Sequence, residues 1–305
     1  MKKKVEKASN TKRVLLIILT VFIFIFIFIP VVINLFDGSK FGNVALIPIE
    51  GVITGSGGGS FGASTLSSKD IVSFIEAASE SNQVQVIVLE INSPGGSAVA
   101  SDEIASAVKK SEKPVVAYIR EVGASGGYWI ASASDHIIAN KMSITGSIGV
   151  ISSYLEFSGL MEEYGIGYER LVAGSKKDIG TPFRKLQLDE KDLLQSKLDK
   201  IHDYFIDEIA ENRGLSMSQV RSAATGEFFL GVEAKQRGLI DELGNKDTVE
   251  DYIKREHKLT DVNYITYQKE VGLIDVLSGV ASEFAFKIGQ GISSVIGQKH
   301  NIALI

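Results

Sequence analysis

The 305-residue chain has no cysteine and only four histidines. The missing thiols exclude a disulfide scaffold, thiolate zinc and iron–sulfur sites and a cysteine nucleophile, without fixing the redox compartment. Four imidazoles leave little material for metal or triad chemistry. No Gly-Lys-Ser/Thr follows the tract Gly55-Ser-Gly-Gly-Gly-Ser60, so the tract reads as a flexible connector and not a phosphate-binding loop. No internal repeat of fixed period is evident.

Charge is unevenly spread. Lys+Arg number 32 and Asp+Glu 37, a net −5. Residues 1–13 set five lysines and Arg13 against Glu6 alone, so this tip is +5 and everything after it −10. A body of that sign repels phosphates, which argues against nucleic acid as a partner. With 45% hydrophobic and 23% charged residues the bulk has a globular composition, large enough for one α/β domain or two small ones.

Val14 to Ile33 is apolar apart from Thr20 and Pro30. Twenty helical residues span roughly 30 Å, the thickness of a bilayer's hydrocarbon. The sequence therefore predicts a basic cytoplasmic tip over 1–13, a transmembrane helix over 14–36 in the lipid bilayer, an extracytoplasmic domain over 37–270 and a tail over 271–305. The apolar run exceeds that of a cleaved signal peptide, and no A-x-A-like site follows it. The expected location is the cell membrane, single-pass.

Along the body, strands are predicted at Val44–Ile49, Val84–Ile91, Pro114–Ile119, His136–Ala139 and Tyr264–Tyr267. Helices are predicted at Ser67–Ser79, Ser97–Lys110 and Gly126–Ser134. Strand and helix alternate, so the fold class is α/β with a mostly parallel sheet. Leu188, Leu194, Leu198, Ile201, Phe205 and Ile209 form one apolar stripe on a long helix ended by Gly214, read as scaffold. Ser216-x-x-Gln219 is a capping box that opens the next helix.

Two glycine-rich turns follow predicted strands. Asn92-Ser-Pro-Gly-Gly-Ser97 should leave backbone N–H groups free at a helix start. Gly123-Ala-Ser-Gly-Gly127 would lift the Ser125 hydroxyl to the next helix N-terminus, though a plain N-cap role for this serine is the simpler reading of that turn alone. Together they supply a nucleophile and donors for an oxyanion, the minimum for acyl transfer. The base is open: His136, His202, His257 and His300 have no special context, and Lys177 stands in a loop, Ala173–Pro182, with little packing reason to exist.

Five segments, in order from Val44 to Asn245, resemble the signal peptide peptidase A family of membrane-anchored Ser–Lys peptidases: Asn92-Ser-Pro-Gly-Gly96, Ala124-Ser-Gly-Gly-Tyr128, Thr145-Gly-Ser-Ile-Gly149, the Lys-Asp-Ile segment at Lys177, and Val232-Glu-Ala through Gly244. The first motif also suits the related Clp proteases, but those place a histidine about twenty-five residues after the serine, where this chain has Val150. The resemblance implies Ser125 as nucleophile, Lys177 as general base (with Lys176 the alternative by one position), Ser147 orienting the lysine, and the Gly96 and Gly126 N–H groups as oxyanion hole. It implies no metal and no cofactor, a Clp/crotonase-like spiral fold, hydrophobic peptide substrates such as signal-peptide remnants, and a dome-shaped homo-oligomer, an octamer among the candidate sizes, with Ser and Lys of one site coming from neighbouring subunits. Two rival expectations stand beside it: an esterase-type triad of Ser125, Asp241 and His257, and a non-catalytic membrane-tethered scaffold of crotonase-like fold.

Overall fold

The computed structural model of the chain describes residues 2–28, 42–57 and 65–269. The expected tail over 271–305 lies outside these residues. The main sheet is built from β1 (Val44–Glu50), β4 (Val86–Ser93), β5 (Val115–Ala124), β6 (His136–Ala139), β9 (Glu242–Leu243) and β10 (Tyr264–Thr266), in the order β10-β1-β4-β5-β6-β9. Every pairing along that path is parallel. β7 (Ile144–Gly146) extends the upper part of β5 in parallel and pairs antiparallel with β8 (Phe228–Leu230). The pair β2 (Val52–Thr54) and β3 (Thr65–Ser67) forms a small separate sheet.

A strand covered on both faces loses the in–out alternation of an exposed sheet, and β4 illustrates this. Val86 and Val88 face the helix Lys246–His257 through Val249 and Ile253. Ile87, Leu89 and Ile91 join the larger core with Ile71, Ile75 and Ile104 of the helices Ser68–Glu80 and Ala98–Lys110. The predicted α/β class with a mostly parallel sheet is therefore what these residues build. Strand ends shift where a turn was assumed: β5 runs on to Ala124, not Ile119, because Val122, Gly123 and Ala124 find a second partner in Ile144, Thr145 and Gly146.

Of the predicted membrane helix over 14–36, residues 14–28 lie within the described part. Among the described residues no helix is long and apolar enough to cross a membrane. The first α-helix, Lys2–Ile23, spends its opening half on the basic tip, and the apolar run continues as a π-helical turn, Phe24–Phe28. Residues 29–36 lie outside the described part. Splitting one apolar stretch between two helical geometries leaves only ten apolar-segment residues, Val14–Ile23, in the α-helix itself.

The parallel neighbours β1, β4 and β5 end on the same side of the sheet. In open α/β sheets the crevice beyond the carboxyl ends of the strands is where ligands bind. Both glycine-rich turns lie there, after β4 and after β5.

Candidate active site

Ser125 joins the end of β5 to the helix Gly126–Ser132 in one residue. Its backbone is forced to φ 53° and ψ −122°, a region costly for any residue with a Cβ. The N–H of Ser125 donates to the Gly146 carbonyl at 2.8 Å, and its carbonyl accepts from the Trp129 N–H at 2.9 Å. The side chain makes no capping hydrogen bond. The N-cap role weighed from sequence is therefore not taken up, and the hydroxyl stays free on a half-buried residue.

The preceding turn is pressed against this elbow. Gly95 has φ 96°, and a Cβ there would meet the Gly126 nitrogen at 2.6 Å and the Ser125 Cβ at 2.8 Å. A Cβ on Gly96 would sit 2.1 Å from the Ile53 carbonyl oxygen, because Gly96 bridges to β2. That bridge uses the Gly95 carbonyl and the Ser97 N–H, both at 2.9 Å from Ile53 partners. The Gly96 N–H is left on the opposite side, without an acceptor among the described residues. Gly126 is backed by buried Ser101, whose Oγ lies 2.2 Å from where its Cβ would be, and the Gly96 nitrogen is 3.4 Å from the same point. As the first residue of its helix, Gly126 has no intrahelical acceptor for its N–H. Two unspent donors thus crowd one small volume beside Ser125.

That volume opens into a cavity of about 330 Å³ lined at one end by Gly96, Ser125 and Gly126, and at the other by Trp129, Leu198, Ile201 and Phe205. Trp129 and Phe205 stack with ring centroids 4.6 Å apart, an arrangement worth about 0.5–1.5 kcal/mol beyond its buried area. The stripe on the helix Leu188–Arg213, read from sequence as scaffold, therefore also forms the apolar wall of the site. Its periodicity was visible; the face it turns to the serine needed the fold.

Among the described residues no histidine and no lysine lines this cavity. Ser147 follows β7 as Ser125 follows β5, and like it has a positive φ, 51°; its Oγ donates to the Gly226 carbonyl at 3.4 Å. Lys177 is exposed in a run of turns, its N–H donating to the Gly174 carbonyl at 3.0 Å. Lys176 is ion-paired with Asp189. The residues of the rival triad are engaged elsewhere. Asp241 accepts from Arg213 at 2.6 Å and from the Ile137 N–H at 2.8 Å, while His257 packs edge-on against Tyr252. His136 stacks on Tyr252 at 3.8 Å. Among the described residues no cluster of three or more His, Asp or Glu side chains is placed to hold a metal ion.

A serine on a strained strand-to-helix elbow, next to unused amide donors and an apolar cavity, is equipped for attack on an acyl carbon. Comparison with known proteins agrees with that chemistry. Residues 107–260, which include the elbow, match the model of peptidase family S49. A candidate protease of Methanocaldococcus jannaschii is 34% identical over 268 residues, covering 87% of this chain and 85% of that one. A candidate signal peptide peptidase A of Enterococcus faecium is 32% identical, covering 78% of this chain and 70% of its own length. Protease 4 of Haemophilus influenzae is 33% identical over 66% of this chain, which spans 33% of that longer protein. With the S49 model extending over half the sequence and the archaeal relative over most of it, the chain belongs to peptidase family S49, in the signal peptide peptidase A group.

Proposed function

We propose that this peptidase uses Ser125 as nucleophile and Lys177 as general base, and that the two are contributed to one site by neighbouring copies of the chain. The observation that carries the reading is a cavity furnished with serine, oxyanion donors and an apolar wall, yet with no base in it among the described residues. Lys177 belongs to a segment that fits this gap. Between Ile148 and Glu190 not one residue is buried, and Ile151, Leu155, Leu171 and Tyr164 stand 71–96% exposed. An apolar excursion of that length is costly in water and suits contact with a second copy. Enclosure of an ammonium at such a contact favours its neutral form, the form a base requires.

In this mechanism the neutral amine of Lys177 takes the Ser125 proton as Oγ attacks the peptide carbonyl carbon. The resulting oxyanion accepts from the N–H groups of Gly96 and Gly126, each such donor contributing roughly 100- to 1,000-fold. The ammonium returns the proton to the departing amine, leaving an acyl-enzyme. The amine then deprotonates water, which releases the acid and restores Ser125. Ser147 holds the lysine towards the nucleophile. The apolar cavity wall selects short hydrophobic peptides, such as signal-peptide remnants, and the apolar run at 14–36 attaches the chain to the membrane with the peptidase domain on the outer side.

Mixing Ser125→Ala and Lys177→Ala chains before assembly tests the reading. Partial recovery of peptidase activity supports a site shared between chains. No recovery in demonstrably mixed oligomers rejects sharing, and full activity of Lys177→Ala alone rejects the lysine as base.

A further inference from the structure

Lys177 is followed by Asp178, and Asp178 is the most heavily bound carboxylate in this part of the chain. Arg170 donates to it through Nε at 2.6 Å and Nη2 at 2.7 Å. Arg184 donates to it through Nε at 3.0 Å and Nη2 at 3.1 Å. The Arg184 guanidinium simultaneously holds Glu190, Nη1 to Oε2 at 2.7 Å and Nη2 to Oε1 at 2.8 Å. Glu190 also accepts from the Gln187 N–H at 3.1 Å and is 1% exposed, the first fully buried residue after the long exposed segment. Arg170 reaches the Ser175 carbonyl at 3.1 Å as well, closing the turn from the other side.

We propose that Arg184 is a positioning residue for catalysis: by joining Asp178 to Glu190 it fixes the backbone that presents Lys177 and ties it to the helix Leu188–Arg213. The same helix, farther along, supplies Leu198, Ile201 and Phe205 to the wall of the serine cavity. This proposal rests on Lys177 being the base.

The chemistry explains why these residue types are present. A turn-rich segment without a buried apolar anchor depends mainly on polar contacts to hold it still. Two planar forks on one carboxylate fix position and direction together, which a lysine's single point charge cannot do. Arg184 spends Nε, Nη1 and Nη2 on its two carboxylates, so its loss breaks the link between them, leaving Asp178 to Arg170 and Glu190 to the Gln187 N–H. The charge balance agrees: hydrogen bonds from Arg170 and Arg184 hold the Asp178 carboxyl far below the ordinary carboxylate range. The bonds from Arg184 and Gln187 lower Glu190 to about 2.

A base displaced by about 1 Å can lose on the order of 100-fold in rate. The test uses the full-length protein in detergent with a fluorogenic hydrophobic peptide amide, rates being normalised to assembled, fluorophosphonate-titrated sites. Arg184→Lys keeps the charge and loses the fork. Its expected effect is a 10- to 100-fold fall in kcat per site with KM within about twofold, and the substitution should be silent in a Lys177→Ala background. Should Arg184→Lys fail to assemble, Asp178→Asn carries the same expectations. A kcat within twofold of the parent, a change confined to KM, or an equal fall in the Lys177→Ala background would each overturn the positioning role while leaving the Ser–Lys reading intact. Full activity of Lys177→Ala would remove that reading and this proposal together.

Discussion

Ser125 and Ser147 leave adjacent parallel strands with positive φ, 53° and 51°, locked together by the hydrogen bond from the Ser125 N–H to the carbonyl of Gly146. Strand pairing sets the two serines side by side. The backbone strain that this imposes, of order 1–3 kcal/mol for each residue, is retained at both positions.

Strain of this kind can be relieved by glycine. Ser125→Gly is expected to abolish turnover and fluorophosphonate labelling while raising the thermal midpoint, with a stabilisation of about 1 kcal/mol. Calorimetry of the assembled protein checks it, and an unchanged or lower midpoint would contradict the strain account.

For Ser147 the hydroxyl and the backbone can be separated. Ser147→Ala keeps the Cβ and loses only the weak 3.4 Å bond to Gly226, so stability should change by less than about 1 kcal/mol. If the hydroxyl orients the base, kcat should fall roughly 10- to 100-fold with KM little altered. Steady-state kinetics beside a melting curve decide the point.

Gly95 has no room for a methyl group. A Cβ would lie 2.6 Å from the Gly126 nitrogen and 2.9 Å from the Ala124 carbonyl oxygen, at a φ of 96°. Gly95→Ala should therefore destabilise by about 2 kcal/mol or more and eliminate activity. Gly159→Ala, where nothing lies within 4 Å of the new Cβ, is the matched substitution expected to change neither. Loss of activity in both would point away from the oxyanion turn.

The cavity wall predicts a different kinetic signature. Leu198 is only partly buried, so Leu198→Ala should cost little stability and raise KM for bulky apolar peptides, leaving kcat close to the parent. Phe205 is 2% exposed and stacked on Trp129, so Phe205→Ala should cost about 3–5 kcal/mol. A series of peptides graded by side-chain size separates the two effects.

Acid should loosen the lysine segment before the sheet. Glu190 titrates near 4.5 in an unfolded chain and at about 2 in the fold. Its depressed folded value means that its stabilising contribution is complete above the unfolded value and is lost as pH falls from about 4.5 through 2. Glu190→Gln should flatten the acid limb of a stability–pH curve over that interval. An unchanged slope would show that other carboxylates govern it.

Much of this architecture could be read from residue order. The buried strand at Val86–Ser93 announces itself because only Glu90 interrupts the apolar, β-branched run from Val86 to Ile91, and both glycine turns stand where strands give way to helices. The positive φ at Ser147 was not legible, because serine has no special preference for that region and the cause, pairing of β7 with β5, is non-local. Arg184 and Glu190 were missed for a related reason. Their spacing of six signals nothing by itself; only the buried state of Glu190 reveals that the pair is structural. The short strands β7, β8 and β9 escaped notice because two or three residues carry no period.

The dimensions of the hollow beside the elbow set what this enzyme leaves alone. At about 330 Å³ it admits a side chain or two of a slack, greasy strand and nothing of folded bulk. With hydrophobic peptide remnants as the proposed substrate, discrimination between debris and intact neighbours would need no recognition code: a well-packed protein drifting past offers no loose end to insert, and so would go uncut.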